Sequence, residues 1–127
     1  MLHPRQFEVN EAWIAFRLNA LPICTERDGD FNCFALMDAA SCFILSSELI
    51  PVASPEPQED QFRRLLEKAR SHKQQLSKTL IVAREDAADL MTRVATDHDI
   101  EVVRVSASEL LPFIGEAREG FAEQFER

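Results

Sequence analysis

The spacing of apolar residues changes at a proline-rich stretch, residues 51–57. Before it, three short segments are apolar and rich in aromatic or β-branched residues, as is typical of β-strands. These segments are 13–19, 31–38 and 42–50, and turn-forming residues separate them. The first half of the chain therefore predicts a three-stranded antiparallel meander over about residues 12–50.

After the proline-rich stretch, the apolar residues recur with helical spacing, and short apolar runs lie between the helical segments. The predicted elements are helices over 62–76, 87–95 and 110–125 and strands over 79–83 and 100–105. Strands that alternate with helices need crossover connections, which add parallel strands to a sheet. We therefore predict one domain over residues 1–127, with an αβαβα half over 58–126. Its fold class is mixed α/β: a five-stranded mixed sheet in the order βββαβαβα, with helices packed on it.

The composition is that of an ordinary globular protein, with 46% hydrophobic and 28% charged residues in 127. The sequence lacks an apolar signal peptide at its start and the roughly 18 consecutive apolar residues of a membrane span. Cys24, Cys33 and Cys42 lack the paired spacing of zinc sites, so we interpret them as buried thiols in a reducing compartment. We expect a cytoplasmic protein that does not bind membranes.

The order of elements resembles the ribonuclease H-like fold, which nucleases, transposases and retroviral-type integrases share. The segment Leu36-Met37-Asp38-Ala39-Ala40-Ser41-Cys42-Phe43-Ile44-Leu45 looks like the hairpin between the second and third strands of integrase-like domains. In that hairpin, an Asp-x-x-Ser turn leads into an apolar strand. The layout covers about residues 12–126 and is also similar to small bacterial domains of unknown function.

The resemblance implies a place for a metal-binding carboxylate in the middle of the first strand, since the nuclease members hold two divalent metals. Segment 13–19 contains no Asp or Glu, and Arg17 would repel a metal ion. The resemblance implies two further metal-binding carboxylates, and the sequence has candidates for both. These are Glu85 or Asp86 after the fourth predicted strand, and Glu116 or Glu119 on the last helix. Asp38 does not fill the first place, because the resemblance puts it in a turn. The resemblance thus implies a degenerate, non-nucleolytic member of the fold.

An alternative is a divergent metal-dependent nuclease or phosphotransfer enzyme in which Asp38, Glu85, Asp86 and Glu119 form a rearranged cluster. Asp86 also precedes the helix predicted over 87–95, where its carboxylate can cap the first turn. The three glycines form no phosphate-binding loop, and the spacing of residues nominates no catalytic triad. We therefore predict no cofactor and no metal, and we favour a protein that is not an enzyme.

The net charge of −8 is unevenly distributed, because residues 61–84 carry +6 and the remainder carries −14. Five of the cations lie on the helix predicted over 62–76, and four of them are the candidate binding residues: Arg63, Arg64, Lys68 and Arg70, with Lys73 as the fifth. Such a helix face is most often solvated, but it can also bind an acidic surface of a second copy or of another protein. Phe121 and Phe125 form a second candidate interface near the chain end.

We therefore favour a non-catalytic protein-interaction or self-association module, with a protein partner or a homo-oligomer. Nucleic-acid binding through helix residues 61–73 is the alternative. The acidic remainder of the chain argues against it, because nucleic-acid-binding domains usually present a broadly basic surface.

Overall fold

A computed structural model describes residues 2–125, with the side chain of Phe125 excepted. After a 3₁₀ turn at Pro4–Gln6, the elements are β1 (Ala12–Arg17), β2 (Ile23–Cys24), β3 (Asp30–Asp38), β4 (Ile44–Pro51), α1 (Glu59–Lys73), β5 (Thr79–Ala83), α2 (Asp89–Asp97), β6 (Glu101–Val105) and α3 (Ala107–Phe125). Within these residues, no helix is both long and apolar enough to cross a membrane.

The strands form one mixed sheet with β1 near its centre. β1 pairs with β3 in the antiparallel direction and with β5 in the parallel direction, while β4 extends the sheet beyond β3 and β6 extends it beyond β5. The predicted mixed α/β fold is therefore confirmed. Within residues 2–125 the sheet has six strands rather than five, because β2 pairs with the start of β3. Two residues are too few to show strand periodicity in a sequence.

The sheet is buried on both faces. Side chains along a strand alternate between the faces, so Trp13 and Ala15 of β1 pack toward α1 and α2, whereas Ile14 and Phe16 pack toward α3. Phe113 of α3 lies in this second core together with the half-buried Phe7. Burial on both faces explains why β1 is an almost continuous apolar run.

The start of α2 differs from the prediction that Asp86 caps it. The helix begins at Asp89, and the carboxylate of Glu56 accepts the backbone N–H groups of Asp89, Leu90 and Met91 at 3.0, 2.9 and 3.1 Å. Glu56 is 6% exposed and comes from the proline-rich stretch. The capping prediction was wrong because the carboxylate that satisfies these donors lies more than 30 residues away in sequence.

The cysteines differ in burial. Cys33 of β3 is buried and Cys42 is half-buried, but Cys24 of β2 is exposed, so the prediction of three buried thiols was wrong for Cys24. Burial raises the pKa of the Cys33 thiol, and burial together with the charge of Asp38 raises that of Cys42. Raised values leave both groups as thiols near neutral pH, which is the less nucleophilic form.

Candidate functional site

A cavity of about 350 Å³ lies at the carboxyl ends of β1 and β5. These two strands are parallel, so the residues that end them meet at the same edge of the sheet. Polar side chains from five parts of the chain line the cavity: Arg17, Asn32, Ser54, Glu56, Asp86 and Arg118. The cavity is a candidate site because it collects charged groups that are far apart in sequence.

Two of these groups, Arg17 and Arg118, lie together. Arg17 ends β1, and the Arg118 Nε atom donates a hydrogen bond to the Arg17 backbone oxygen at 3.0 Å. The Arg118 guanidinium also lies 5.9 Å from the centre of the Phe16 ring. Burial, together with the nearby charge of Arg17, lowers the pKa of Arg118, although the charge of Asp86 acts in the opposite direction. Among residues 2–125, neither arginine forms an ion pair.

The carboxylates near these arginines have different surroundings. Glu56 is held by the first turn of α2, as described above. Glu85 accepts the backbone N–H of Ala107 at the start of α3, with both oxygens at 3.1 Å. Asp86 lines the cavity with an exposed side chain, and its backbone oxygen accepts a hydrogen bond from Arg104.

Asp38 is the last residue of β3 and not, as expected, a turn residue, and it lies at the other end of β1, since it pairs with Trp13. Its side chain is fully buried and accepts the Asn10 N–H at 2.6 Å, the Ser41 N–H at 2.9 Å and the Ser41 hydroxyl at 2.7 Å. Asn10 in turn accepts the Trp13 Nε1–H at 2.8 Å. This network ties the β3–β4 turn to the start of β1, which is a structural role.

The residues present do not fit the two-metal site that the fold family implies. The middle of β1 holds buried Ala15 and Phe16, which offer no ligand oxygen. Asp38 is separated from Asp86 by the length of β1, and Glu119 is exposed on α3. In the described part of the chain, no three His, Cys, Asp or Glu side chains are placed to share an ion.

The basic residues predicted from the sequence lie on α1, where each is matched by a carboxylate. Glu48 of β4 accepts from Arg64 and from Lys68, both at 2.8 Å. The other pairs are Arg63 with Glu59, Arg64 with Asp60, and Arg70 with Glu67. The local excess of positive charge is therefore largely neutralised at this surface.

Of the two phenylalanines predicted as an interface, Phe121 is half-buried and packs against the core between the sheet and α3. The side chain of Phe125 lies outside the described residues. The structure thus places Phe121 with the core residues of α3.

Sequence reasoning missed three exposed apolar side chains along β4, one of which, Phe43, stacks on the His72 ring of α1. Phe43, Leu49 and Val52 are 52%, 54% and 42% exposed, and all three lie on or next to this strand. Within residues 2–125, β4 pairs with β3 alone and therefore forms one edge of the sheet. The consecutive apolar residues Leu49 and Ile50 were a usable signal, because neighbouring side chains of a strand point to opposite faces.

Comparisons with known proteins identify a fold. No protein-family model and no curated protein matches the sequence. A chain in the cryo-EM structure of the simian T-cell lymphotropic virus intasome in complex with the PP2A regulatory subunit B56 gamma is similar at a TM-score of 0.60 and 12% identity. The match covers 99% of this chain and 43% of that one, so this chain spans less than half of its length.

A second similar structure is the HTLV-2 integrase catalytic core domain in complex with magnesium, in a dimeric form. Its TM-score is 0.54 at 10% identity, and the match covers 89% of this chain and 84% of the core domain. At such low identity the similarity concerns the fold and not the activity. The chain therefore has the ribonuclease H-like fold of retroviral integrase catalytic cores.

Proposed function

We propose that this chain is a non-catalytic interaction module with a degenerate ribonuclease H-like fold, and that two copies associate through β4. The proposal that the chain is non-catalytic rests on the residues that stand where metal ligands would be needed. The middle of β1 has no carboxylate, and Arg17 and Arg118 add positive charge at the end of the same strand, which disfavours metal ions there.

The exposed edge of β4 is the observation that carries the association. An edge strand presents unpaired backbone N–H and C=O groups that a strand of another chain can pair with. β4 is eight residues long, and exposed apolar side chains accompany it at Phe43, Leu49 and Val52. Burial of these side chains favours association, while strand pairing gives it direction.

A second copy of the chain is the partner that this edge fits. Two β4 strands related by a twofold axis pair in the antiparallel direction, so each satisfies the edge of the other and the two sheets become continuous. Glu48, the charged residue of β4, is already paired with Arg64 and Lys68, so pairing leaves no unmatched carboxylate. The dimeric form of the HTLV-2 integrase core adds support by analogy.

Sedimentation velocity over a range of protein concentrations tests this proposal. The wild-type chain is expected to sediment as a dimer at high concentration, and Leu49→Lys to weaken the dimer about tenfold or more, since it places a charge in the interface. Leu111→Lys on α3 is the matched control, because Leu111 is 56% exposed and Leu49 is 54% exposed. A wild-type chain that stays monomeric, or equal dissociation in both variants, would contradict association through β4.

The two alternatives have less support. A nucleic-acid interface on α1 needs positive charge that is free to meet phosphates, but Arg63, Arg64, Lys68 and Arg70 are paired within the chain. A rearranged metal site needs Asp38 beside Asp86, and β1 separates them.

A further inference from the structure

The cavity at the ends of β1 and β5 holds two positive side chains that no described carboxylate pairs with. Arg17 comes from β1 and Arg118 from α3, and the hydrogen bond from Arg118 Nε to the Arg17 backbone oxygen holds the Arg118 guanidinium at the end of β1. We infer that this cavity binds a small phosphate-bearing ligand between the guanidinium groups of Arg17 and Arg118. This inference goes beyond the association through β4 and does not depend on it.

The geometry leaves donors available for such a ligand. Arg118 uses Nε for the Arg17 oxygen, so its two terminal nitrogens stay available, and Arg17 has no side-chain hydrogen bond to a described residue. Guanidinium groups present paired N–H donors that match the spacing of phosphate oxygens. The positive charges of Arg17 and Arg118 repel each other, and an anion with two negative charges between them removes that repulsion.

Two carboxylates line the same cavity, and they act differently. Both oxygens of Glu56 already accept backbone N–H groups of α2, which offsets its charge. Asp86 is exposed and makes no ion pair within residues 2–125, so it is the carboxylate that competes with a bound anion. Removal of the Asp86 charge is therefore expected to strengthen anion binding.

The size and the other walls of the cavity limit the ligand. A volume of about 350 Å³ lies at the small end of the range for ligand pockets. Phe34 and Ile50 form an apolar wall, and the Ser54 hydroxyl offers a neutral polar group. A small phosphate monoester with a short organic group fits these surroundings, because the phosphate meets the arginines while the organic group meets the apolar wall.

Titration of the full chain with inorganic phosphate at constant ionic strength, followed by amide chemical shifts, tests this inference. We expect saturable shifts at Arg17, Ser54 and Arg118. Arg17→Gln is expected to weaken the affinity about tenfold or more, since a hydrogen bond to a charged group is lost. Asp86→Asn is expected to strengthen it severalfold. Arg63→Gln removes the same charge from α1 and is expected to leave the affinity unchanged.

One further variant and one further anion test the assignment to phosphate. Arg118→Lys retains the charge but loses the paired donors, so an affinity between those of the wild type and Arg17→Gln supports the inference. Malonate carries two carboxylates, and equal affinity for malonate and phosphate would overturn the assignment to phosphate. Shifts that do not saturate, or equal losses in Arg17→Gln and Arg63→Gln, would overturn the site itself. Sedimentation of the same variants reports on β4 separately.

Discussion

Two basic regions of this molecule differ in whether their positive charges form ion pairs with carboxylates. The outer face of α1 has the higher density of cations, but each of Arg63, Arg64, Lys68 and Arg70 contacts a carboxylate of the same chain. The cavity at the end of β1 has only Arg17 and Arg118, and neither forms an ion pair with a described residue. The region with fewer charges is therefore the better candidate for binding an anion.

The difference shows that local charge density along a sequence does not report the charge available to a ligand. The acidic partners of α1 come partly from its own preceding turns, as with Glu59 and Asp60, and partly from β4, as with Glu48. Surface pairs of this kind contribute little to stability, yet they lower the potential that an incoming anion meets. Arg118 is 101 residues from Arg17, so no local window of sequence contains both.

The largest expected effect concerns Glu56, the buried carboxylate of the cavity. The difference between the two basic regions exists only if the Glu56 carboxylate accepts hydrogen bonds from α2 and does not pair with Arg17 or Arg118. Glu56→Ala leaves three backbone donors of α2 without an acceptor and is expected to lower the free energy of unfolding by about 2 kcal/mol. Urea denaturation measures this change. Glu85→Ala is the control, because Glu85 is exposed and accepts one backbone N–H, and its loss is expected to be smaller.

If Glu56 instead neutralised the arginines, Glu56→Ala would keep the stability of the wild type and strengthen phosphate binding. That result would remove the contrast between the two basic regions, because both would then be matched by carboxylates.

A smaller effect is expected at Glu48, the carboxylate that two cations of α1 share. Partial burial by itself would raise the pKa of Glu48, but the hydrogen bonds and charges of Lys68 and Arg64 lower it below its ordinary 4.5. Glu48→Gln is expected to lower the free energy of unfolding by about 1 kcal/mol at neutral pH.

The stabilisation that Glu48 contributes depends on pH. Because the pKa of Glu48 is lower in the folded state, its stabilisation is complete above pH 4.5 and is lost as the pH falls through the folded value. The difference between wild type and Glu48→Gln, measured by denaturation from pH 7 down to pH 3, should therefore shrink below pH 4.5. A difference that stays constant over this range would show that the ion pairs do not stabilise the fold.

The smallest effect is expected at Arg63. This side chain is half exposed and lies 3.6 Å from Glu59 in the same helix. Arg63→Gln is expected to change the free energy of unfolding by less than about 0.5 kcal/mol, since exposed pairs one helical turn apart are weak. Thermal denaturation checks this value. A loss above about 1 kcal/mol would mean that the α1 surface is more tightly organised than its exposure indicates.

The site was less predictable than the fold for physical reasons that particular residues illustrate. Burial of β1 on both faces imposes an apolar run on residues 12–16, and a run of this kind is visible in the sequence. The hydrogen bonds of Asp38 were only half visible, because Ser41 is close in sequence whereas Asn10 is 28 residues away. Glu56 gave no local signal at all, since the donors that it accepts are 33 to 35 residues away.

The sequence by itself determined the order of helices and strands and the mixed sheet, because the spacing of apolar residues along the chain follows the period of the element that buries them. It also determined that the middle of β1 has no metal-binding carboxylate. Only the tertiary structure decided which charges are matched, that Arg17 and Arg118 share one cavity, and that β4 is an exposed edge. Electrostatic pairing depends on distances between atoms, and for residues that are far apart in sequence only folding sets those distances.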